Sequence, residues 1–278
     1  MDYRALYGET ADEREPLERY RSIGGGFRAL NGKAPEVFYS SPGRAEIVGN
    51  HTDHNLGKVI VAAVSCDIVA AVGRRADGLA EIVSKGFAPC GSGSRIPRRN
   101  VTRRGGARRL RAAWRRGWKK GFFLKGFGGF TAYTESTVFR GAGVSSSAAF
   151  EVLIAEIFND LWLGGRLTAK DKAAVGHFAE NEYFGKPCGL LDQSGVACGG
   201  LNKIDFKTPD APVVSPCPYR KGIRWSSPIR AAPIRALPSI TRPYARIWRP
   251  LRLFSEKSFC AKSTKANFFV PFRRLKNG

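Results

Sequence analysis

The segment that specifies the fold most clearly is Gly141-Ala142-Gly143-Val144-Ser145-Ser146-Ser147-Ala148-Ala149, which opens a helix predicted over residues 145–162. The residues after it form one apolar stripe at helical spacing: Phe150, Leu153, Ile154, Ile157, Phe158 and Leu161. Glycines let a backbone approach a ligand, and the amides of a helix N-terminus hold phosphate. Serines at a helix start are also ordinary N-caps. The segment therefore predicts either a phosphate site or plain capping, and it has no Walker A lysine.

The pattern on both sides of this helix mixes strands with helices and predicts an α+β fold. Residues 59–72 are β-branched and apolar, which predicts one or two buried strands. Asp77-Gly78 is a hairpin signal between that run and a strand over 79–83. The other predicted helices span 168–184 and 11–30, and Pro16 and Gly24-Gly25-Gly26 interrupt the latter. Further strands are predicted over 127–139 and over 37–39 and 46–48, the last two on either side of a turn at Ser41-Pro42-Gly43. A Gly-Gly turn precedes a short strand within 196–206.

A polar loop follows an early strand and reads Pro42-Gly43-Arg44-Ala45-Glu46-Ile47-Val48-Gly49-Asn50-His51-Thr52-Asp53-His54-Asn55. Its side chains can hydrogen-bond the hydroxyls of a sugar, each of which offers a donor and acceptors. The loop can equally be an ordinary polar turn. A metal site built from His51, Asp53 and His54 is a third interpretation, which the absence of a further ligand at helical spacing disfavours.

A third motif ends the second long helix and reads Glu180-Asn181-Glu182-Tyr183-Phe184-Gly185-Lys186-Pro187-Cys188-Gly189-Leu190-Leu191-Asp192-Gln193. The helix carries the Glu180 carboxylate to its end, and Lys186-Pro187 stops it. Asp192 follows two leucines, so it can be desolvated and act as a base. A helix cap is the alternative interpretation of the same aspartate.

The net charge of +23 is concentrated in two segments. Residues 82–134 contain fourteen Lys and Arg and no acidic residue, and residues 211–278 contain fifteen with Glu256 as the single acid. Each segment therefore carries +14, and the rest of the chain carries −5. That remainder has the composition of a mildly acidic enzyme. Nine of the sixteen prolines also lie in 211–278, which neither a helix nor a central strand tolerates.

Composition disfavours several classes of protein. An apolar fraction of 43% is enough to build a core, which argues against disorder. There is no run of eighteen apolar residues for a membrane span, and residues 1–15 do not resemble a signal peptide. We therefore expect a cytoplasmic protein whose six cysteines are thiols. None forms a C-x-x-C pair, which disfavours a zinc ribbon.

Taken together, the three motifs resemble those of the galactokinases, which are GHMP-family small-molecule kinases. The resemblance covers about residues 1–85 and 127–209. The loop over 42–55 is similar to the galactokinase signature, in which Pro-Gly-Arg leads to Gly-Glu-His-Thr-Asp. The segment over 141–149 resembles the family's phosphate loop, and residues 188–193 resemble its Cys-Gly-apolar-apolar-Asp-Gln segment. The resemblance implies a GHMP-kinase-type N-terminal domain, a mixed sheet packed with helices, within residues 1–209.

Galactokinases transfer the γ-phosphoryl group of MgATP to the anomeric hydroxyl of galactose. The resemblance implies that Asp192 is the catalytic carboxylate that accepts the sugar proton, with Arg44 beside it neutralising charge on the transferred group. It implies substrate-binding roles for Arg44, Asn50, His51, Asp53, Gly189 and Asp192. It implies nucleotide-binding roles for Gly141, Gly143, Ser145, Ser146 and Ser147, and Mg²⁺ ligation by Ser147 and Glu180.

The sequence departs from the family pattern at two places. Asn50 stands where the family usually has Glu, which loses a charge-assisted hydrogen bond worth about 1 kcal/mol more than a neutral one. Galactose remains the expected sugar. After Pro209 only Gly222 and Gly278 remain, so the family's C-terminal Gly-rich motif and its sugar-binding tyrosine have no counterpart. We therefore expect a truncated galactokinase with an incomplete C-terminal domain and little or no kinase activity.

The basic segments have two interpretations. The arginine pairs of the first segment, interleaved with Trp114 and Trp118, suit binding of nucleic acid or another polyanion, although no known nucleic-acid motif accompanies them. Alternatively, residues 86–126 and the Pro/Arg-rich tail 210–278 are out-of-frame translations of GC-rich DNA. We favour frame error because periodicity, acidic residues and family resemblance disappear together, and we expect the tail not to form a folded domain. The DNA tests this, because other frames near codons 86 and 215 should encode acidic family sequence.

Overall fold

The structure, a computed structural model, describes residues 14–77, 80–86, 128–139, 141–183, 187–209, 211–218 and 275–276. Its helices are α1 (Arg14–Asn31), α2 (Ser146–Leu163), α3 (Ala169–Phe178) and α4 (Leu191–Cys198). Its strands are β1 (Val37–Val48), β2 (Lys58–Arg75), β3 (Ala80–Ser84), β4 (Gly129–Ser136), β5 (Leu201–Asp205), β6 (Val213–Pro216) and β7 (Leu275–Lys276). A 3₁₀ turn (Thr52–Asn55) follows β1, and a π-helical turn (Ala179–Tyr183) follows α3. The predicted α+β fold, a mixed sheet packed with helices, is confirmed.

The central strand is β2, whose 18 residues serve two parts of the sheet. One edge of β2 pairs with β1 along most of its length. The other edge pairs with β5 at residues 58–62 and with β4 at residues 68–75. β3 joins β4 in parallel, β6 joins β5, and β7 joins β1. β6 and β7 belong to the tail 210–278, and most of that tail lies outside the described residues, as do residues 87–127.

The hairpin predicted from Asp77-Gly78 is wrong, because β3 does not pair with β2. Both edges of β2 in this region are already occupied, one by β1 and the other by β4. β3 therefore adds to the outer edge of β4, and it does so in parallel. The local Asp-Gly signal was outweighed by the pairing of β2 with a strand about sixty residues further along the chain.

The predicted turn around Pro42 is also wrong, since β1 continues through it as one strand. The register to β2 shifts between Pro42 and Arg44, which marks a β-bulge. Pro42 has no N–H to donate, and bulges are where a strand accommodates that loss. A Cβ at Gly43 would lie 2.8 Å from the Val144 carbonyl oxygen, so the bulge brings β1 against the segment before α2. A bulge redirects a side chain, and here it redirects Arg44.

The helices cover both faces of the sheet, with α1 on one face and α2 on the other. Alternate residues of the strands point to opposite sides, so Phe38, Val69 and Ala71 pack with α1. Their neighbours Tyr39 and Ala70 belong to the larger core cluster, which is built around α2. α2 is buried on most of its surface rather than along one stripe, which is the position of a central core helix.

Two helices differ from the sequence prediction in instructive ways. α1 is continuous through Gly24-Gly25-Gly26, because Gly24 and Gly26 lie against aromatic rings of the sheet, where a larger side chain would not fit. α4 was not predicted, since residues 191–198 show no helical period. The Gly-Gly turn that follows it and leads to β5 was predicted correctly. Along the described ranges of the chain, no helix combines the length and apolarity that crossing a membrane requires.

Candidate active site

The segments that carry Arg44, the tip of α2 and Asp192 meet on one side of the sheet. Arg44 leaves the bulge of β1 and its guanidinium forms an ion pair with Asp192, whose Oδ1 accepts from Nε at 3.1 Å and also from Nη2. Nη1 of Arg44 donates to the Gly143 carbonyl oxygen at 2.6 Å. Arg44 is only 4% exposed, so its position is fixed. One side chain thus joins the polar loop, the glycine-rich segment and the start of α4.

Ser145 completes the surroundings of Asp192. Its Oγ donates to Asp192 Oδ2 at 2.5 Å, so both oxygens of the carboxylate accept hydrogen bonds. Ser145 precedes α2 with a left-handed backbone (φ 56°) and makes no side-chain capping hydrogen bond. The capping interpretation is therefore wrong for Ser145, because its hydroxyl is used by Asp192. Asp192 is not the N-cap of α4 either: Leu190 holds that position, and Asp192 lies in the first turn, where a negative charge suits the helix dipole.

Asp53 lies beside this group, in the 3₁₀ turn after β1. Its Oδ2 accepts from the Leu191 N–H at 3.2 Å, one residue before Asp192. Its Oδ1 is buried and has no hydrogen-bond partner among the described residues, and the ring nitrogen Nε2 of His54 lies 3.9 Å from it. A buried carboxylate oxygen without a donor costs free energy, so the site has an acceptor ready for a ligand hydroxyl. A Cβ at Gly189 would overlap the Asp53 carboxylate, which explains why a glycine stands there.

The remaining residues of the polar loop are more exposed. His51 is 60% exposed, and its backbone N–H donates to Glu46 Oε1 at 2.8 Å. Asn50 is exposed, and both Asn50 and His51 have a left-handed backbone (φ 55° and 57°). Glu46 holds this turn in place, a role that the sequence did not reveal. Among the described residues, His51, Asp53 and His54 do not form a group that could hold a metal ion.

The glycine-rich segment lies next to these groups. Gly141 and Gly143 have positive φ angles (77° and 78°), and open space surrounds the position where a Gly143 Cβ would be. Ser146 is half-buried at the start of α2. Ser147 Oγ donates to Glu180 Oε1 at 3.0 Å, which joins α2 to the π-helical turn after α3. Of the predicted nucleotide-binding residues, Gly143 contacts Arg44 and Ser145 contacts Asp192, while the two predicted Mg²⁺ ligands, Ser147 and Glu180, contact each other.

Behind Glu180 lies a set of groups to which the sequence analysis assigned no role. Gln193 Nε2 donates to Glu180 Oε2 at 2.7 Å and to Glu151 Oε2 at 3.1 Å. Burial raises the pKa of the Cys188 thiol to about 12, and Glu180 adds to the rise, so Cys188 remains a neutral thiol. Gln193 stood inside the third motif, but Glu151 carries no sequence signal beyond a charge within an apolar helix.

The Asn181 side chain holds the turn before Asp192. Its Nδ2 donates to the Cys188 carbonyl oxygen at 3.3 Å, and its Oδ1 accepts from the Cys188 N–H at 3.1 Å. His177 Nε2 lies 3.0 Å from the same carbonyl oxygen. These contacts from the end of α3 fix the position of Gly189 and, through it, the approach to Asp53.

Comparisons with known proteins match both halves of this site. The galactokinase galactose-binding signature matches residues 26–74, which include Arg44 and Asp53. The GHMP kinases N terminal domain matches residues 107–200, which include the tip of α2, Glu180 and Asp192. In both parts of the site the chain is similar to the galactokinases, a family of GHMP kinases. The second match begins inside the segment 86–126 that the sequence analysis set apart, most of which lies outside the described residues.

Individual relatives agree with the family. The chain is 36% identical to a galactokinase of Streptomyces coelicolor over 179 residues, which are 64% of the chain and 45% of that protein. It is 32% identical to a galactokinase of Lacticaseibacillus paracasei over 181 residues, 64% of the chain and 46% of that protein. The chain spans about half the length of the curated relatives it matches.

Among solved structures, the chain resembles that of Lactococcus lactis galactokinase complexed with galactose. The TM-score is 0.61 with 22% sequence identity, and the match covers 73% of this chain and 53% of the other. At that identity the likeness concerns the fold. All of these matches are kinases, which favours the kinase interpretation over the nucleic-acid one; the arginine-rich segment itself lies outside the described residues.

Proposed function

We propose that the protein phosphorylates galactose at its anomeric hydroxyl, with MgATP as the phosphoryl donor. The observation that carries the proposal is the Asp192 carboxylate, held by the Arg44 guanidinium on one oxygen and by the Ser145 hydroxyl on the other. Ser145 belongs to the glycine-rich tip of a helix, and such tips bind phosphate. A base and a phosphate site therefore adjoin, as transfer between a hydroxyl and ATP requires.

The sugar side of the proposal rests on Asp53. Its buried Oδ1 needs a donor, and a sugar hydroxyl supplies one. Gly189 has no Cβ, so the Asp53 carboxylate lies directly against its backbone. His51 and Asn50 lie at the exposed end of the same loop, where they can contact a ligand without being buried. Asn50 is neutral, so Asp53 supplies the charged acceptor for the sugar.

The transfer needs little covalent chemistry from the protein. Asp192 accepts the proton of the anomeric hydroxyl on a lone pair that neither Arg44 nor Ser145 uses. The anomeric oxygen then forms its bond to the γ-phosphorus, while the bond from that phosphorus to the β-phosphate oxygen breaks and its electron pair leaves with ADP. The cation of Arg44 stabilises the negative charge on the transferred group.

Mg²⁺ accompanies ATP in this proposal, and two residues fit it. Ser147 and Glu180 offer a hydroxyl and a carboxylate within 3.0 Å of each other. Mg²⁺ prefers such hard oxygen ligands, and it usually takes one or two protein groups together with phosphate oxygens. Bound there, the ion would neutralise phosphate charge. The cytoplasmic location expected from the sequence remains a prediction.

The test measures binding and turnover in the same preparations of this chain. We expect galactose to bind measurably in calorimetry and Asp53→Ala to weaken it at least about 10-fold, because a charge-assisted hydrogen bond is lost. We expect Asp192→Asn to keep ATP affinity within about 3-fold and to abolish any galactose-dependent ADP release that the wild-type chain shows, since it removes the general base.

The matched control is Asp171→Asn, which changes a half-buried capping carboxylate in the first turn of α3, at the opposite end of that helix from Glu180. It should keep galactose and ATP binding. Failure of the chain to bind galactose would overturn the proposed function, as would loss of ATP binding in Asp192→Asn. Turnover at the rate of an ordinary sugar kinase would contradict only the expectation of weak activity.

A further inference from the structure

One buried amide connects the two carboxylates of the α2–α4 region. Gln193 is 0% exposed, and Glu151 and Glu180 are each 2% exposed. The Gln193 Nε2 group has two hydrogens and donates one toward each carboxylate, at 3.1 Å and 2.7 Å. The acceptors fix the orientation of this amide, because a rotated amide would place its oxygen against two carboxylate oxygens.

That orientation has a cost, which indicates that the bridge is selected for more than packing. Gln193 Oε1 is buried without a hydrogen-bond partner among the described residues. An unsatisfied buried acceptor costs about 1–3 kcal/mol. An apolar side chain of the same length would avoid that cost, but it would remove a donor from each of the two buried carboxylates. The amide therefore has a use in holding the carboxylates.

The surrounding elements are shaped to admit the bridge. Glu180 lies in the π-helical turn that ends α3, and such turns often occur at functional sites. Gly176 in α3 faces the bridge: a Cβ there would lie 3.1 Å from Gln193 Cγ and 3.3 Å from Glu151 Oε2. The glycine thus leaves room for both side chains. Gln193 donates to Oε2 of Glu180, and Oε1 of the same carboxylate accepts from the Ser147 hydroxyl.

We propose that Gln193 is a positioning residue for the divalent cation that accompanies ATP: anchored on Glu151, its amide holds the Glu180 carboxylate facing Ser147. This rests on the proposed function, which gives Glu180 and Ser147 their role as cation ligands. Groups that orient a metal ligand commonly change metal affinity by 10- to 100-fold when they are removed. Gln193 acts through Glu180 and touches neither substrate.

The test compares ATP binding to the full chain by calorimetry in excess Mg²⁺ and in EDTA. Wild type should bind ATP more tightly with Mg²⁺. Gln193→Met keeps the length of the side chain and removes both donors, so we expect it to lose about 10-fold in ATP affinity with Mg²⁺. Its ATP affinity in EDTA and its galactose affinity should equal those of wild type. Ser194→Ala, the neighbouring buried position of α4, is the control and should bind as wild type does.

Each result decides the proposal. Equal Mg²⁺ enhancement in Gln193→Met and wild type would overturn it, and so would an equal loss with and without Mg²⁺, which is the signature of a merely structural role. If Gln193→Met does not fold, as judged by its thermal transition, Glu151→Ala replaces it with the same expected pattern and the same contrary outcomes. Absence of any Mg²⁺ enhancement in wild type would instead reject the proposed function, and this inference with it.

Discussion

Ser145 has an unfavourable backbone conformation at the position where its hydroxyl meets Asp192. A left-handed conformation costs a residue other than glycine about 1–2 kcal/mol. The hydroxyl gains a short hydrogen bond to a carboxylate in return. The backbone of α2 thus begins in a strained state that directs one side chain to the candidate base, and strain of this kind clusters at functional sites.

Two variants separate the strain from the hydrogen bond. Ser145→Gly and Ser145→Ala both remove the hydroxyl, but only glycine adopts the left-handed conformation without cost. We expect Ser145→Gly to be more stable than Ser145→Ala by about 1 kcal/mol in urea unfolding. Equal stability of the two variants would show that Ser145 is not strained.

Gly189 limits what can stand beside Asp53. An added methyl group would overlap the carboxylate, which must then move from its contact with the Leu191 N–H. We expect Gly189→Ala to weaken galactose binding at least about 10-fold, because the charged acceptor is displaced. Calorimetry of the chain with galactose measures this. An unchanged affinity would mean that Asp53 does not contact the sugar.

The sequence was enough to select Arg44, Asp53 and Asp192 as candidate site residues, because each lies in a motif whose residue pattern resembles that of the galactokinases. It did not reveal the bridge from Gln193 to Glu151, since these residues are 42 positions apart and meet only when α2 packs on α4. It also assigned Ser145 to capping as one alternative, because a serine before a helix has the same pattern whether its hydroxyl bonds to its own helix or to a distant carboxylate.

The successive glycines of the triplet in α1 have different surroundings and therefore different structural roles. A Cβ at Gly25 would meet nothing within 4 Å, whereas a Cβ at Gly26 would overlap the ring of Tyr133. Gly25 faces solvent, and Gly26 faces the sheet. The close approach of α1 to the sheet therefore depends on the third glycine and not on the second.

This difference predicts opposite effects of the same substitution. Gly25→Ala should raise the free energy of unfolding by up to about 1 kcal/mol, since alanine has the higher helix propensity. Gly26→Ala should lower it by about 1–3 kcal/mol, since overpacking against Tyr133 outweighs that gain. Urea unfolding of both variants measures the effects. A Gly26→Ala protein as stable as Gly25→Ala would show that α1 can move away from β4.

Long periodic segments were predictable and short or paired ones were not. β2 and α2 were found because their apolar patterns extend over many residues. The partner of β3 was missed because a turn signal describes neighbours in sequence, whereas the edge of β2 was taken by β4 from much further along the chain. The sequence predicted two strands where β1 is one, because Pro and Gly, here Pro42 and Gly43, occur both in turns and in β-bulges.

Three half-buried thiols make the stability of the molecule depend on pH in the alkaline range. Burial raises the pKa of Cys66, Cys188 and Cys198 above the ordinary value of 9.0, with Asp67 adding to the rise at Cys66 and Lys172 opposing it at Cys198. The unfolded chain therefore releases these protons at a lower pH than the folded protein does. Their contribution to stability is complete below pH 9 and is lost as the pH rises above it.

Replacing two of these thiols tests the effect. The double variant Cys66→Ala and Cys198→Ala lacks two of the titrating groups, so its free energy of unfolding should fall less steeply above pH 9 than that of wild type. Below pH 9 the difference between the two proteins should be constant. Urea unfolding across the alkaline range gives both slopes, and parallel curves above pH 9 would contradict the prediction.

The contacts of Arg44 have a consequence for how two ligands communicate. The same guanidinium binds a carbonyl in the glycine-rich segment and a carboxylate at the start of α4. Under the proposed function, a nucleotide that shifts Gly143 disturbs Asp192 through Arg44, and a sugar that moves Asp192 disturbs Gly143 in the same way. If one ligand changes the affinity of the site for the other by some factor, the second ligand changes the affinity for the first by the same factor. The order of binding therefore makes no difference to the stability of the final complex.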